Sequence, residues 1–529
     1  MSAETSRMIS IPEKKNETCV SPELSSWPSS LVSNKSVLRD IPERMKVQDE
    51  LLRTARDYTH NVLGIDIPTD NFDNIIAAGH QALWHHCGIW IKNVAVSVFA
   101  KATGSGGLHL ILDHDICDTA MLLPQQNIDG SWSFRKIQTE TKQEPIPLEL
   151  RPLPKEENIR DFLDTVTKAY PWQFCNEIWS QKSVVADRKM SSLHSIADLI
   201  TYLQSSLNVN LGLDNILYLP ISRLSQSDAF LDFVISLAAD ARGFAGCYNN
   251  GIDEVLKSGK SRSEIGIRHL IYEKNMDLTE LPFWVVWPDG DRTSLYVRIN
   301  ADGIIVISAG LEIIGCLDSQ SDTGKIGQLK NILHQTGLML RPKAISLMLF
   351  VRLFLADWFV HGAGAQWYEM VTNYIMENYY KVKPPEFGTV TCTMGLPLAD
   401  EVASSGDLSQ LHNKMRDIRH NPEKYIDESG LKTQPVASLI RAKNEQIDLA
   451  NNRSMASDKR KSAWKSLEDI NQKLLEYTKS AVSDLETQIA ESQKNQISRK
   501  VLNNREYFFG LFPEQKLEEI AGAFTFTGS

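Results

Sequence analysis

The chain lacks the cysteine patterns that mark a disulfide framework or a structural zinc site. Its seven cysteines, among 529 residues, are odd in number and widely scattered, and no two form a C-x-x-C pair. Such usage is typical of free thiols in a reducing compartment. The stretch after Met1 is polar and carries no apolar segment that a secretory signal would need. We therefore predict a cytoplasmic protein.

A long uncharged apolar run is also missing. The longest apolar stretch, residues 344–360, contains Arg352 and Asp357. Two charges at hydrocarbon depth are costly, so this stretch favours a buried helix and strand over a membrane span. A surplus of basic residues is absent too, since the net charge is -10. The sequence therefore predicts no partnership with nucleic acid or membrane.

The length predicts several domains, each of roughly 150 residues. The seam of Leu475, Val482 and Ile489, spaced by seven residues with Leu485 between them, is typical of a coiled coil. It fits an arm that folds within one chain or one that pairs two chains, and we expect a homodimer. The predicted order is a flexible, polar N-terminal tail over 1–40, an α/β core over 41–155, a helical insertion over 156–213, the remainder of the core over 214–400 and a helical coiled-coil region over 401–529.

One stretch, residues 75–115, has the pattern of a strand, a turn, a helix and a second strand. Apolar runs at 75–78 and 108–112 flank a segment of helical periodicity from Gly88 to Ala100. In open α/β sheets, ligands bind beyond the carboxyl ends of the strands. We therefore expect His80 and Gln81, after the first strand, to converge with residues 113–115, after the second.

The turn Gly79-His80-Gln81 has residues suited to binding and proton transfer. Histidine exchanges a proton near neutral pH, and glutamine both donates and accepts hydrogen bonds. The following helix, beginning near Gly88, is expected to present unpaired N–H groups and a positive dipole to an anion. The alternative is a structural turn whose polar side chains satisfy backbone groups.

Asp113, His114 and Asp115 stand at the predicted end of the second strand. Alternation along a strand would put Asp113 and Asp115 on one side and His114 on the other. A carboxylate beside a histidine raises the pKa of the imidazole, which suits general-base catalysis. The alternative is a strand end with solvated charges.

A metal site is conceivable around His80, the His85-His86-Cys87 run and residues 113–115, but no H-E-x-x-H or paired C-x-x-C supports one. We predict no metal. The segment His85-His86-Cys87-Gly88 is loosely similar to the His-x-Gly-His turn of nucleotidylyltransferases, with Gly88 in the fourth position.

A second glycine turn, His361-Gly362-Ala363-Gly364, follows a buried run and precedes a predicted helix. Glycine permits close approach of a ligand to the backbone, so the turn suits an anion or another substrate group. The alternative is a tight connection without a ligand.

Four segments of the chain resemble, in the same order, characteristic motifs of the bacillithiol synthase, or cysteine-adding enzyme, family. They are Gly79-His80-Gln81 through Lys92, Leu112-Asp113-His114-Asp115, Arg341-Pro342, and His361-Gly362-Ala363-Gly364 through Tyr368. The resemblance spans roughly residues 71–502. It implies an α/β fold with a Rossmann-like parallel-sheet core, a second insertion within 214–400, and a C-terminal α-helical coiled-coil arm that supports a dimer. The family usually carries Gln where this chain has His80.

The resemblance implies a ligase that condenses an amino acid, such as cysteine, with the amine of a small amino-sugar-like molecule in low-molecular-weight thiol biosynthesis. In this interpretation His80 and Gln81 orient the substrate, Lys92 and Arg341 offset negative charge, and the 113–115 trio handles the amine proton. Further substrate-binding residues would be His86, His361, Gly362, Gly364 and Tyr368. A nucleotide is the candidate cofactor.

Two other functions fit the same sequence. One is a nucleotidylyl- or adenylate-forming transferase that uses the same crevice. The other is a non-catalytic dimeric binding or scaffold protein, for which His80 and His114 would be dispensable while the seam at Leu475, Val482 and Leu485 would be essential.

Overall fold

The protein is described by a computed structural model that covers residues 9–526, except 68–71, 141–142, 170–173, 182–190, 260, 262–265, 319, 322 and 403–406. It is a mixed α/β structure. The strands are β1 Glu17–Ser21, β2 Ile75–Gln81, β3 Gly106–Leu112, β4 Met121–Gln126, β5 Trp132–Ile137, β6 Ile216–Pro220, β7 Tyr272–Glu273, β8 Leu278–Val286, β9 Arg292–Ile299, β10 Ile305–Ala309, β11 Glu312–Leu317, β12 Met339–Pro342, β13 Trp358–His361 and β14 Phe387–Thr393.

The helices are α1 Trp27–Leu38, α2 Arg44–Asp57, α3 Cys87–Thr103, α4 Glu156–Thr167, α5 Phe174–Gln181, α6 Ile196–Asn210, α7 Ile221–Leu224, α8 Asp228–Ala239, α9 Ala241–Lys257, α10 Lys325–Thr336, α11 Ala344–Phe350, α12 Gln366–Asn378, α13 Leu398–Glu401, α14 Leu408–His420, α15 Glu428–Leu431, α16 Gln434–Asn451, α17 Ser457–Leu475, α18 Lys479–Leu502 and α19 Glu514–Ala521. Within the described residues, no helix has the length and apolarity needed to cross a membrane.

The central sheet has the strand order β1-β14-β13-β2-β3-β6. Its strands pair in parallel from β14 to β6, and β1 is antiparallel to β14. If the parallel strands are numbered by their position along the chain, their order is 3-2-1-4-5. The chain moves outward from β2 to one side and later returns to the other side, so the order reverses between β2 and β13.

The predicted strand, turn, helix and strand of residues 75–115 are confirmed as β2, α3 and β3. The two strands pair in parallel from Ile75 with Gly106 to Gln81 with Leu112. Residues Ile75, Ile76, Ala77 and Ala78 are all buried, as expected of a strand covered on both faces.

A second sheet is antiparallel, in the order β11-β10-β9-β8-β12 with β7 also on β8. Its apolar face supplies Leu281, Phe283 and Val285 to a large core. The same core contains Ile75 and Ala77 of the central sheet. Strands β9 and β10 flank residues 300–303 and pair antiparallel, with Ile299 opposite Ile305.

The predicted flexible tail over 1–40 is wrong for the segment from β1 to α1. Strand β1 pairs with β14 along its length, and α1 buries Trp27, Leu31 and Leu38. The Trp27 indole N–H also donates to the carbonyl of Pro22 at 3.0 Å. A few large apolar residues at helical spacing fix this segment, although its composition is mostly polar.

The chain divides into two compact units. One contains Met1–Leu123, Arg135–Gly395 and Arg505–Ser529, and the other contains Pro124–Phe134 and Leu396–Asn504. Residues beyond 504 thus group with the first unit, although the sequence suggested that they continue the C-terminal helical region.

The second unit contains a helical hairpin. Val436 at the start of α16 packs with Leu474 at the end of α17, and Ala450 packs with Ala463, so the two helices run antiparallel. In α18, Leu485 is buried while Val482 and Ile489 are only partly so. Pairing of two chains through this seam stays a prediction.

Candidate functional site

A cavity lies at the carboxyl ends of two neighbouring strands. Strands β2 and β13 pair with Ala78 opposite Val360, so the turn at Gly79-His80-Gln81 lies next to the turn that begins at His361. This is where the strand order reverses, the position at which open α/β sheets bind ligands. The cavity has a volume of about 390 Å³, and its lining includes eight predicted site residues: His80, Gln81, His86, Lys92, His361, Gly362, Gly364 and Tyr368.

Lys92 carries a buried amine into this cavity from helix α3. Its side chain is enclosed, and Nζ donates to the carbonyl oxygen of Gly79 at 2.6 Å. Burial disfavours the charged amine and lowers the pKa of Lys92 to about 7. The amine therefore gains or loses its proton near neutral pH, and a bound anion would favour the protonated form.

The lowered pKa of Lys92 predicts that the affinity of the cavity for anions depends on pH. Below about pH 7 the Lys92 amine carries its proton without a ligand, whereas above it binding must first recruit a proton. For a ligand of constant charge, affinity should fall by up to about tenfold per pH unit above pH 7. Calorimetric titrations from pH 6 to 9 measure this slope, and an equal slope in Lys92→Met would show that another group causes it.

Two histidines near Lys92, His80 and His85, are held in their neutral form. The rings of His80 and His85 lie edge to face at 5.0 Å, and His85 Nε2 donates to the carbonyl oxygen of Gln81 at 2.9 Å. Burial lowers the pKa of His85 to about 4. Burial, with the nearby Lys92 charge, holds the pKa of His80 well below its usual range. These rings can thus donate or accept hydrogen bonds but add no charge to the cavity.

The start of helix α3 differs from the prediction. His86 precedes the helix, and its Nδ1 accepts a hydrogen bond from the Gly88 N–H at 3.0 Å. The expectation of an unpaired N–H at Gly88 is therefore wrong. Burial, followed by the charge of Arg505, lowers the pKa of His86 to about 3, which keeps Nδ1 available as an acceptor. The favourable helix dipole is still directed at the cavity.

Gly88 permits close packing at this helix start. A Cβ at this position would lie 2.3 Å from Nη2 of Arg505 and 2.7 Å from the carbonyl oxygen of Cys392. The carbonyl belongs to the backbone of β14 and cannot rotate away. We expect Gly88→Ala to destabilise the protein by roughly 1–3 kcal/mol through overpacking.

Gly364→Ala is the matched control for that prediction, because a Cβ there meets nothing within 4 Å. Thermal melts of both variants test the contrast. Equal melting temperatures for Gly88→Ala and the wild type would contradict the close packing.

Asp113 and His114 do not join His80 in the cavity, contrary to the prediction. Strand β3 ends at Leu112 and the chain turns at once, so strand alternation no longer governs their directions. Asp113 instead accepts hydrogen bonds from the backbone N–H of Ser222, at 3.0 Å, and from the Ser222 hydroxyl. Burial and the nearby Glu149 raise the pKa of Asp113. His114 is buried, with Nδ1 enclosed.

Asp115 contacts a residue of the cavity lining, whereas Arg341 is bound inside the fold. Asp115 accepts a hydrogen bond from Nε2 of Gln81 at 3.0 Å, which connects it to the cavity wall. Arg341 is 2% exposed and binds both carboxylate oxygens of Glu149, at 2.7 and 2.6 Å. Its charge is used inside the fold, away from the cavity lining, because the side chain points to Glu149.

Sequence reasoning missed Arg505 and Glu506, which line the cavity from a distant part of the chain. Arg505 Nη2 donates to the hydroxyl of Thr391 at 3.3 Å, and Thr391 is another lining residue on β14. Arg505 adds a second cation to the cavity beside Lys92. It follows a long charged helical region, and no local pattern distinguishes it from the arginines there.

No protein-family model matches this chain, and no curated protein matches its sequence. Within the described residues, no group of three or more His, Cys, Asp or Glu side chains is placed to hold a metal ion. The cavity lining includes two basic side chains, Lys92 and Arg505, one carboxylate, Glu506, neutral imidazoles and two glycine turns. Such a set suits an anionic ligand that also offers hydrogen-bonding groups.

Proposed function

We propose that the chain is a ligase of the cysteine-adding type, which joins an amino acid to the amine of a small amino-sugar-like molecule in low-molecular-weight thiol biosynthesis. The observation that carries the proposal is the buried Lys92 amine, set between two glycine turns where the strand order reverses. The order 3-2-1-4-5 supports a Rossmann-like core. We propose further that the enzyme acts in the cytoplasm as a homodimer paired through its coiled-coil arm.

Both substrates of such a ligase carry carboxylates, and Lys92 and Arg505 would bind one of them. Charge-assisted hydrogen bonds to a carboxylate are among the stronger contacts a protein can make. Gly362 lets the substrate approach the backbone of its turn, because the nearest atom to a Cβ there would be Cδ of Lys92, 4.0 Å away. A Cβ at Gly79 would instead lie 3.0 Å from Cβ of Leu110, so that glycine serves the packing of β2 on β3. His80 and Gln81 would then orient the amine-bearing partner through hydrogen bonds.

A thermal-shift screen tests the proposal with the full chain. The probes are cysteine, other amino acids, glucosaminyl malate and ATP, because a ligand that binds the folded state raises the melting temperature. We expect cysteine or glucosaminyl malate to stabilise the wild type and the shift to be lost in His80→Ala. His194→Ala, at an exposed histidine, is the control. A shift that survives His80→Ala would contradict this site.

A nucleotidylyl- or adenylate-forming transferase is the second candidate. The position of the cavity favours it, because the reversal of strand order is where such sheets bind nucleotide phosphates. It predicts release of pyrophosphate from ATP that depends on Lys92. A ligase that takes a preactivated acyl donor would release none.

A further inference from the structure

His361 is rigidly held where β13 opens into the cavity. It is the last residue of the strand, and its backbone lies opposite Thr389 of β14. Its ring lies between the rings of Phe359 and Phe387, with centroids 4.5 and 4.9 Å away. The side chain is 2% exposed. The ring therefore has little freedom to turn.

A carboxylate faces one nitrogen of this ring. His361 Nε2 lies 3.5 Å from Oε1 of Glu369, which is in the first turn of helix α12. Both atoms are enclosed, and within the described residues neither makes a hydrogen bond. Hydrogen bonds between catalytic groups are often long without substrate and shorten when it binds. His361 lines the cavity, and Nδ1 is the ring nitrogen that does not face Glu369.

Arg352 binds the other carboxylate oxygen of Glu369. Its guanidinium donates to Oε2 of Glu369, to Oδ1 of Asn373 at 2.8 Å and to the carbonyl oxygen of Pro385. Arg352 and Glu369 are each almost fully buried and offset each other's charge. Burial, followed by Arg352 and then Lys92, holds the pKa of His361 well below its usual range. The ring is thus unprotonated at neutral pH.

We infer that His361 takes the proton of the attacking amine on Nδ1, and that Glu369 is the positioning residue that keeps the other ring proton on Nε2. The inference rests on the proposed function and names its base, since Asp113 and His114 lie outside the cavity.

The step requires an activated acyl donor, such as an acyl adenylate or acyl phosphate. The amine lone pair forms the new C–N bond, and the leaving group departs with the electron pair of the broken C–O bond. The amine proton moves to Nδ1 of His361. Glu369 then stabilises the imidazolium through the Nε2 hydrogen.

Replacing Glu369 by glutamine should reverse the tautomer. Arg352 only donates hydrogen bonds, so it must pair with the amide oxygen, and this turns the amide NH₂ toward Nε2 of His361. Nε2 then becomes an acceptor and the ring proton moves to Nδ1, where it blocks the base. We expect kcat to fall by roughly 100-fold or more, with KM changed little.

Histidine-selective ¹⁵N spectra test the pairing independently of activity. The His361 signal is assigned by its loss in His361→Gln, and it should show an Nε2–H ring in the wild type and an Nδ1–H ring in Glu369→Gln. Glu377→Gln, at an exposed position of the same helix, should change neither tautomer nor rate. Thermal melts establish that the variants are folded, and the ring tautomer of the wild type still tests the pairing if Glu369→Gln unfolds.

The outcomes separate the two proposals. An unchanged tautomer in Glu369→Gln, or an Nδ1–H ring in the wild type, overturns the positioning role whether or not the protein makes an amide. A wild type that shows the Nε2–H ring but makes no amide overturns the proposed function and the catalytic role of His361, while the pairing with Glu369 stands. The pH profile of kcat/KM is a further readout, and it reflects Glu369, Arg352 and Lys92, the charged groups that face the ring.

Discussion

Lys92→Met is expected to weaken binding of the carboxylate substrate by roughly 10- to 100-fold, since a hydrogen bond to a charged group contributes about 1.5–3 kcal/mol. Methionine preserves much of the volume of the side chain but cannot donate to the substrate or to the carbonyl oxygen of Gly79. Isothermal titration with cysteine or glucosaminyl malate at pH 6.5, about the lower edge of the Lys92 transition, measures the loss.

Loss of binding in this variant would not reflect unfolding. Burial lowers the pKa of Lys92 from 10.5 to about 7, so the charged amine opposes folding below pH 7. That cost fades as the pH rises toward 10.5, and methionine removes it at every pH. The melting temperature of Lys92→Met should therefore match or exceed that of the wild type in acid.

Lys101→Met is the control, because Lys101 is on the same helix but half exposed and paired with Asp214. It should bind the substrate like the wild type. Unchanged affinity in Lys92→Met, or equal losses in both variants, would remove the anion-binding role from Lys92.

Arg341→Met is expected to lower the free energy of unfolding by about 3–5 kcal/mol. The substitution leaves the carboxylate of Glu149 buried without its bidentate partner, and the side chains of Arg341 and Glu149 are only 2% and 8% exposed. Adding Glu149→Gln should recover most of the loss, because the remaining group is neutral. Thermal melts of the single and double variants at pH 7 measure both effects.

The exposed pair of Arg160 and Glu156 offers a comparison, because surface ion pairs contribute about 0–1 kcal/mol. Arg160→Met should therefore melt close to the wild type. If Arg341 instead binds substrate, as the family resemblance implies, Arg341→Met would lose ligand affinity while keeping its melting temperature. That result would contradict the internal role.

Local sequence patterns were sufficient to predict the strand, turn, helix and strand of residues 75–115. The apolar runs at 75–78 and 108–112 and the periodicity from Gly88 to Ala100 predicted β2, β3 and α3, because burial on both faces of a parallel sheet requires such runs. The two glycine turns were also located, and the parallel pairing of β2 with β13 brings them together. That pairing joins segments almost three hundred residues apart, and a single sequence carries no signal for it.

The predictions of site residues that failed depend on where the chain turns after a strand and on which distant segments fold back to the cavity. Asp113 was expected near the cavity because it follows the carboxyl end of a predicted parallel strand, but the chain turns away at once after Leu112. Arg505 reaches the site from a distant segment, and Glu369 is recognisable only because His361 and Arg352 lie beside it. The positions of such charged side chains depend on tertiary contacts, and the hydrophobic periodicity of the sequence carries no information about those contacts.

Mass spectrometry can detect the amide that a cysteine-adding ligase would form when the purified full chain is incubated with cysteine, glucosaminyl malate and ATP. We expect the amide of the two substrates to be formed by the wild type and by Lys101→Met and to be greatly reduced in Lys92→Met. Absence of that amide under these conditions, or its undiminished formation by Lys92→Met, would contradict a ligase that works in this cavity.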